Sequence, residues 1–79
     1  MDDIYNYATL IMIKKRKERG WTQQQLADFC CLSRSFICDI ENSHKRARLN
    51  LEHINILASE NVFNCSPKDF LPNKAIPEK

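Results

Sequence analysis

The 79-residue sequence holds a single glycine and three prolines. An all-β fold draws on those residues for its turns, so their scarcity leans the chain toward helices. Long apolar runs are missing as well. The longest is Leu10-Ile11-Met12-Ile13, far short of a membrane span, and no basic segment precedes it as in a secretory leader. A cytoplasmic location and no membrane partner are therefore expected. The four cysteines, Cys30, Cys31, Cys38 and Cys65, form no C-x-x-C pair, and His44 and His53 stand at no zinc-like spacing from them. Reduced thiols packed as small hydrophobes, no disulfide and no metal are expected. No glycine-rich phosphate loop and no Ser/His/Asp or Cys/His grouping suggests catalysis, so the sequence predicts no enzyme, no cofactor and no small-molecule substrate.

The composition is otherwise ordinary for a globular domain, with 43% hydrophobic and 28% charged residues. At this length one core is expected, with residues 1–72 as the domain and 73–79 as a flexible C-terminal tail. Net charge is only +2, but the cations are concentrated. Lys14-Lys15-Arg16-Lys17-Glu18-Arg19 and His44-Lys45-Arg46-Ala47-Arg48 form two basic clusters, with Arg34 between them. Such a chain can present one positive face to a polyanion, although charge runs are also ordinary solvated surface.

Caps and apolar spacing divide the chain. Asp2 or Asp3 starts a first helix over about residues 3–19, with Ile4, Ala8, Ile11, Met12 and Lys15 at helical spacing and Gly20 as its stop. Thr22 and Gln25 form a capping-box pattern for a second helix, Gln23 to Cys30. Ser33 caps a third, Arg34 to Asn42. A basic loop without apolar period then leads to Asn50, which caps a fourth helix carrying Leu51, Ile54, Leu57 and Ala58. Ser66-Pro67 opens a fifth, ending at Leu71 before Pro72. Trp21 is read as covering the corner between the first two helices, not as a base-stacking platform. Phe63, Phe70 and Leu71 either close the core or form a dimer surface.

The second and third helices, joined by only Cys31, Leu32 and Ser33, form a helix-turn-helix candidate. Ala27 gives the small residue needed where two steeply crossing helices approach. Leu26, Ile37 and Ile40 anchor the pair, and Ser33 leaves Arg34 and Ser35 in the leading turn, the part that can enter a major groove. Thr22-Gln23-x-x-Leu26-Ala27 followed by Leu32-Ser33-Arg34-Ser35-Phe36-Ile37-Cys38-Asp39-Ile40-Glu41-Asn42 resembles the Cro/C1-type helix-turn-helix of phage repressors and controller proteins, over roughly residues 10–71.

The resemblance implies a compact, all-α, five-helix lambda-repressor-like domain. It implies a sequence-specific regulator, a repressor or autoregulating controller, that binds double-stranded DNA at a pseudo-palindromic operator as a homodimer. It places Gln23 on a phosphate, Ser33 near the backbone, Arg34, Ser35 and Asp39 at base edges, and His44, Lys45, Arg46 and Arg48 on phosphates. It also pairs Arg16 with Glu41. The chain departs from the pattern at Cys31 and Ser43, where many members have glycine, and its stretch from Glu41 to Leu51 runs about two residues longer than in many members. Asp39 has alternative readings, as a solvated acid or as a group orienting Arg34. An antitoxin or other protein-interaction module with the same fold is a rival reading, and a redox switch at Cys30 or Cys31 is a more distant one.

Overall fold

The computed structural model describes residues 3–42, 45 and 47–77. Four α-helices follow in order: α1 (Ile4–Glu18), α2 (Gln23–Cys30), α3 (Arg34–Glu41) and α4 (Leu51–Ala58). A short 3₁₀ turn at Pro67–Phe70 completes the described structure. It stands where a fifth α-helix is expected. Pro67 and Pro72 bracket too few residues for a ladder of α-helical bonds. The segment closes instead through Asp69 N–H to the Ser66 carbonyl at 2.9 Å and Leu71 N–H to the Lys68 carbonyl at 3.0 Å.

Each helix begins where its cap dictates. The Asn6 N–H donates to the Asp3 carboxylate at 2.8 Å. At α2 the Gln25 N–H donates to the Thr22 hydroxyl at 3.1 Å, and the Thr22 N–H donates to the Gln25 side-chain oxygen at 2.8 Å. At α3 the Phe36 N–H donates to the Ser33 hydroxyl at 3.0 Å. Asn50 caps α4 by accepting from the His53 N–H at 2.8 Å, while His53 Nδ1 accepts from the Asn50 N–H at 3.2 Å. These bonds satisfy amides that a helix start leaves without partners.

The first two helices end in the same way. Trp21 N–H reaches back to the Arg16 carbonyl at 3.1 Å across a left-handed Gly20, φ 69°. Leu32 N–H reaches the Ala27 carbonyl at 2.9 Å across a left-handed Cys31, φ 58°. Both are Schellman closures, but Cys31 performs with a side chain what Gly20 performs without one. Ser43, the other position where a glycine is often found, lies outside the described residues.

One core holds the helices. Met12, Leu26, Ala27, Ile37, Leu57 and Phe70 are fully buried. Phe63 and Phe70 are 2% and 0% exposed, so both close the core, and the alternative of a dimer surface at these two rings falls. Leu49, in a segment where no apolar period is visible, is also buried. By contrast Ile4 and Leu51, which helical spacing assigns to the inner faces of α1 and α4, stand in solvent. Trp21 is half-buried at the α1–α2 corner, stacked on Phe63 at 5.6 Å and against Phe29 at 4.6 Å. The Arg19 guanidinium lies over Trp21 and Phe63 and donates to the Phe63 carbonyl at 2.8 Å, tying the end of α1 to the segment after α4. No helix among the described residues is long and apolar enough to cross a membrane.

Candidate nucleic-acid interface

The helices α2 and α3 pack on each other, and Leu26, Ala27, Ile37 and Ile40 are buried in the shared core. With those residues inward, α3 turns Arg34, Ser35 and Cys38 outward, and all three are exposed. They fall at i, i+1 and i+4, one stripe of a helix surface. The Arg34 side chain has no hydrogen bond or ion pair to another described residue. A cation at a helix N-terminus opposes the helix dipole, so nothing in the helix itself holds that charge. Ser33 is exposed and occupied as the cap. Asp39 is half-buried, and no ion pair joins it to Arg34 among the described residues.

A polar network fixes this stripe relative to the body. Arg16 grips Glu41 with both prongs, Nε to Oε2 at 2.8 Å and Nη2 to Oε1 at 2.9 Å. Its third nitrogen, Nη1, donates to the Trp21 carbonyl at 2.8 Å. Gln23 Nε2 donates to the same Glu41 Oε1 at 3.0 Å. The two charged side chains are only 12% and 9% exposed. Four segments are thereby joined: the end of α1, the turn after it, the start of α2 and the end of α3. The pair is partly desolvated and fully bonded, the condition under which losing one partner leaves a costly orphan charge.

The expected phosphate contacts are scattered by comparison. Gln23 has its amide nitrogen on Glu41, which directs it inward. Gln24 bonds Asp28 at 2.8 Å along the outer face of α2. Lys45 is exposed, its backbone N–H on the Asn42 carbonyl at 3.0 Å. Arg48 is exposed with its guanidinium 4.7 Å above the Tyr5 ring, at the beginning of α1. His44 and Arg46 lie outside the described residues. Cys38 was not anticipated on the outer stripe. Its spacing of four from Arg34 is the signal that places it there.

The thiols divide by burial. Burial pushes the Cys30 thiol up to about 11, with a smaller contribution from the neighbouring Cys31. Burial also raises Cys65. Cys31 and Cys38 are exposed. A thiol held protonated is a poor nucleophile, so Cys30 does not fit the redox reading. Among the described residues no group of His, Cys, Asp and Glu is arranged to hold a metal ion.

The chain is 44% identical over 52 residues to the competence pilus inhibition repressor of Acinetobacter baylyi (strain ATCC 33305 / BD413 / ADP1). That match covers 65% of this chain and 43% of the relative, so the chain spans less than half of that protein's length. No solved structure was found to match. The family model described as helix-turn-helix matches residues 12–70, which takes in the whole Arg16–Glu41–Gln23 network and both helices it braces. The chain belongs to the helix-turn-helix family.

Proposed function

We propose that the chain is a sequence-specific double-stranded DNA-binding transcriptional regulator, a repressor or an autoregulating controller, that lays α3 in the major groove. One observation carries this reading. An Arg34 side chain with no partner among the described residues and an exposed Ser35 lead a helix whose far end is locked to the body by Arg16 and Glu41. Arginine recognises guanine through a bidentate fork on O6 and N7, and a braced helix loses little freedom when it docks. The repressor role printed for the Acinetobacter relative supports the same reading. Base readout is assigned to Arg34 and Ser35, with Asp39 beside them where it can accept from a cytosine amino group. Ser33, Lys45 and Arg48, with His44 and Arg46, are assigned to the phosphate backbone. Gln23 reaches a phosphate only through its backbone N–H at the start of α2 or through the second hydrogen of its amide. One such helix reads only a few base pairs, so a homodimer on a pseudo-palindromic site is part of the proposal.

The test is a salt titration of duplex binding. Counterion release makes log K fall linearly with log salt, by about 0.9 for each phosphate neutralised. A slope corresponding to several phosphates supports the reading. Tight, nearly salt-independent capture of a protein partner with no duplex binding supports the rival protein-interaction module and contradicts it.

A further inference from the structure

The exposed residues of α3 are Arg34, Ser35 and Cys38. The body holds the others. Ile37 and Ile40 are in the core, Glu41 is bonded to Arg16, and Phe36 packs on His53 of α4, ring centroids 4.7 Å apart. Asp39 is half-buried. Cys38 therefore completes the free face of the helix, one turn beyond Arg34. It has no part in the base and phosphate contacts assigned to the polar residues around it.

The chemistry of the side chain narrows what it can meet. A thiol behaves as a small hydrophobe with a weak S–H donor, so it offers the edge of a base little hydrogen bonding. It is also short. The Arg34 side chain extends far enough to reach a base edge, whereas Cys38 ends one atom beyond its β-carbon and touches only a group that projects toward it. In the major groove the apolar group that projects in this way is the C5-methyl of thymine, which small apolar side chains read. The spacing sets the register. Four residues advance about 6 Å along a helix, close to two base-pair steps of about 3.4 Å each.

We propose that Cys38 is a specificity-determining residue that packs on a thymine methyl, so that each half of the bound site carries a thymine about two base pairs from the guanine read by Arg34. The proposal rests on the DNA-binding reading of α3 and adds one base to it.

The test removes one methyl at a time. The duplex that the chain prefers is remade with each thymine in turn replaced by deoxyuridine, which keeps every hydrogen-bonding group and loses only the C5-methyl. At one thymine in each half the wild-type chain is expected to bind the replaced duplex about fourfold more weakly. Cys38→Ser nearly keeps the size of the side chain but puts a hydroxyl where the sulfur was, and it is expected to bind the two duplexes equally. Cys38 is exposed, and far-UV circular dichroism verifies that the variant folds. A second measurement does not depend on base identity. Bound duplex is expected to shield Cys38 from a maleimide, read by mass spectrometry on the tryptic peptide of residues 35–45, in which Cys38 is the only cysteine. Deoxyuridine duplexes that all bind as tightly as the parent overturn the proposal. So does a Cys38→Ser variant that loses the same factor as the wild-type chain, or a labelling rate that bound duplex leaves unchanged. Each of these results is obtained with duplex bound, so the DNA reading survives them. A chain that binds no duplex overturns both.

Discussion

Two sets of polar side chains meet opposite fates, one reaching from α1 and α2 to the far end of α3 and one at the leading end of α3. Arg16, Gln23 and Glu41 spend their hydrogen-bonding groups on one another and on the Trp21 carbonyl. Arg34 and Ser35 are exposed at the leading end of α3, and the Arg34 side chain has no partner among the described residues. The difference teaches how a small domain separates holding a helix from using it. The bonded set is nearly dry, so its loss is felt in stability. The open set faces water, so its loss is felt only by a ligand.

The comparison breaks first at Arg16. Arg16→Ala strands Glu41 and is expected to destabilise the fold by about 3–5 kcal/mol, with urea denaturation as the readout. If stability is unchanged and only DNA binding falls, Arg16 belongs to the open set instead. The adjacent cysteines divide along the same line. The Cys30 thiol is raised from its usual 9.0 to about 11 by burial. Below pH 9 both folded and unfolded chains keep that proton. Above it the unfolded chain releases it first, so stability falls as pH climbs from about 9 to about 11, by roughly 2 kcal/mol for this group. Cys30→Ala should flatten that part of the alkaline stability profile. At neutral pH a thiol reagent should label Cys31 and Cys38 quickly and Cys30 only on unfolding.

Arg34→Ala should do the reverse of Arg16→Ala. Its melting should stay within about 0.5 kcal/mol of wild type, while affinity for the preferred duplex falls by about 1–3 kcal/mol. The smallest effect is at the turn between α2 and α3. Cys31 holds a left-handed conformation that glycine adopts without strain, so Cys31→Gly should stabilise the fold by about 0.5–1 kcal/mol. A loss of stability there would mean that the Cys31 side chain makes a compensating contact.

Local chemistry was legible in the sequence; tertiary chemistry was legible only in part. Asp3, Thr22, Ser33, Asn50 and Ser66 all cap where they are expected to, because a cap depends on three or four consecutive residues. The starts of α2, α3 and α4 follow from them. The inward face of α2 and α3 was readable from its spacing. Ile4 and Leu51 were not, since periodicity states which residues share a face and not whether another element covers it. Phe63 and Phe70 were ambiguous for the same reason, and Leu49 is buried without any period to announce it. At the candidate site, the inward turn of Gln23 onto Glu41 joins residues 18 positions apart, a distance that no local pattern encodes. The resemblance groups Arg48 with the phosphate contacts; its stacking on Tyr5, near the other end of the described chain, is a tertiary contact that no local pattern encodes.

The central claim is that the leading turn of α3 reads base pairs. Selection of bound duplexes from a random pool, run in parallel with the wild-type chain and Arg34→Ala, tests it most directly. The account predicts that the wild-type chain enriches a two-part motif and that the variant loses preference at one or two positions in each half while keeping the rest. An unchanged motif, bound uniformly more weakly, would contradict it and make Arg34 a backbone contact.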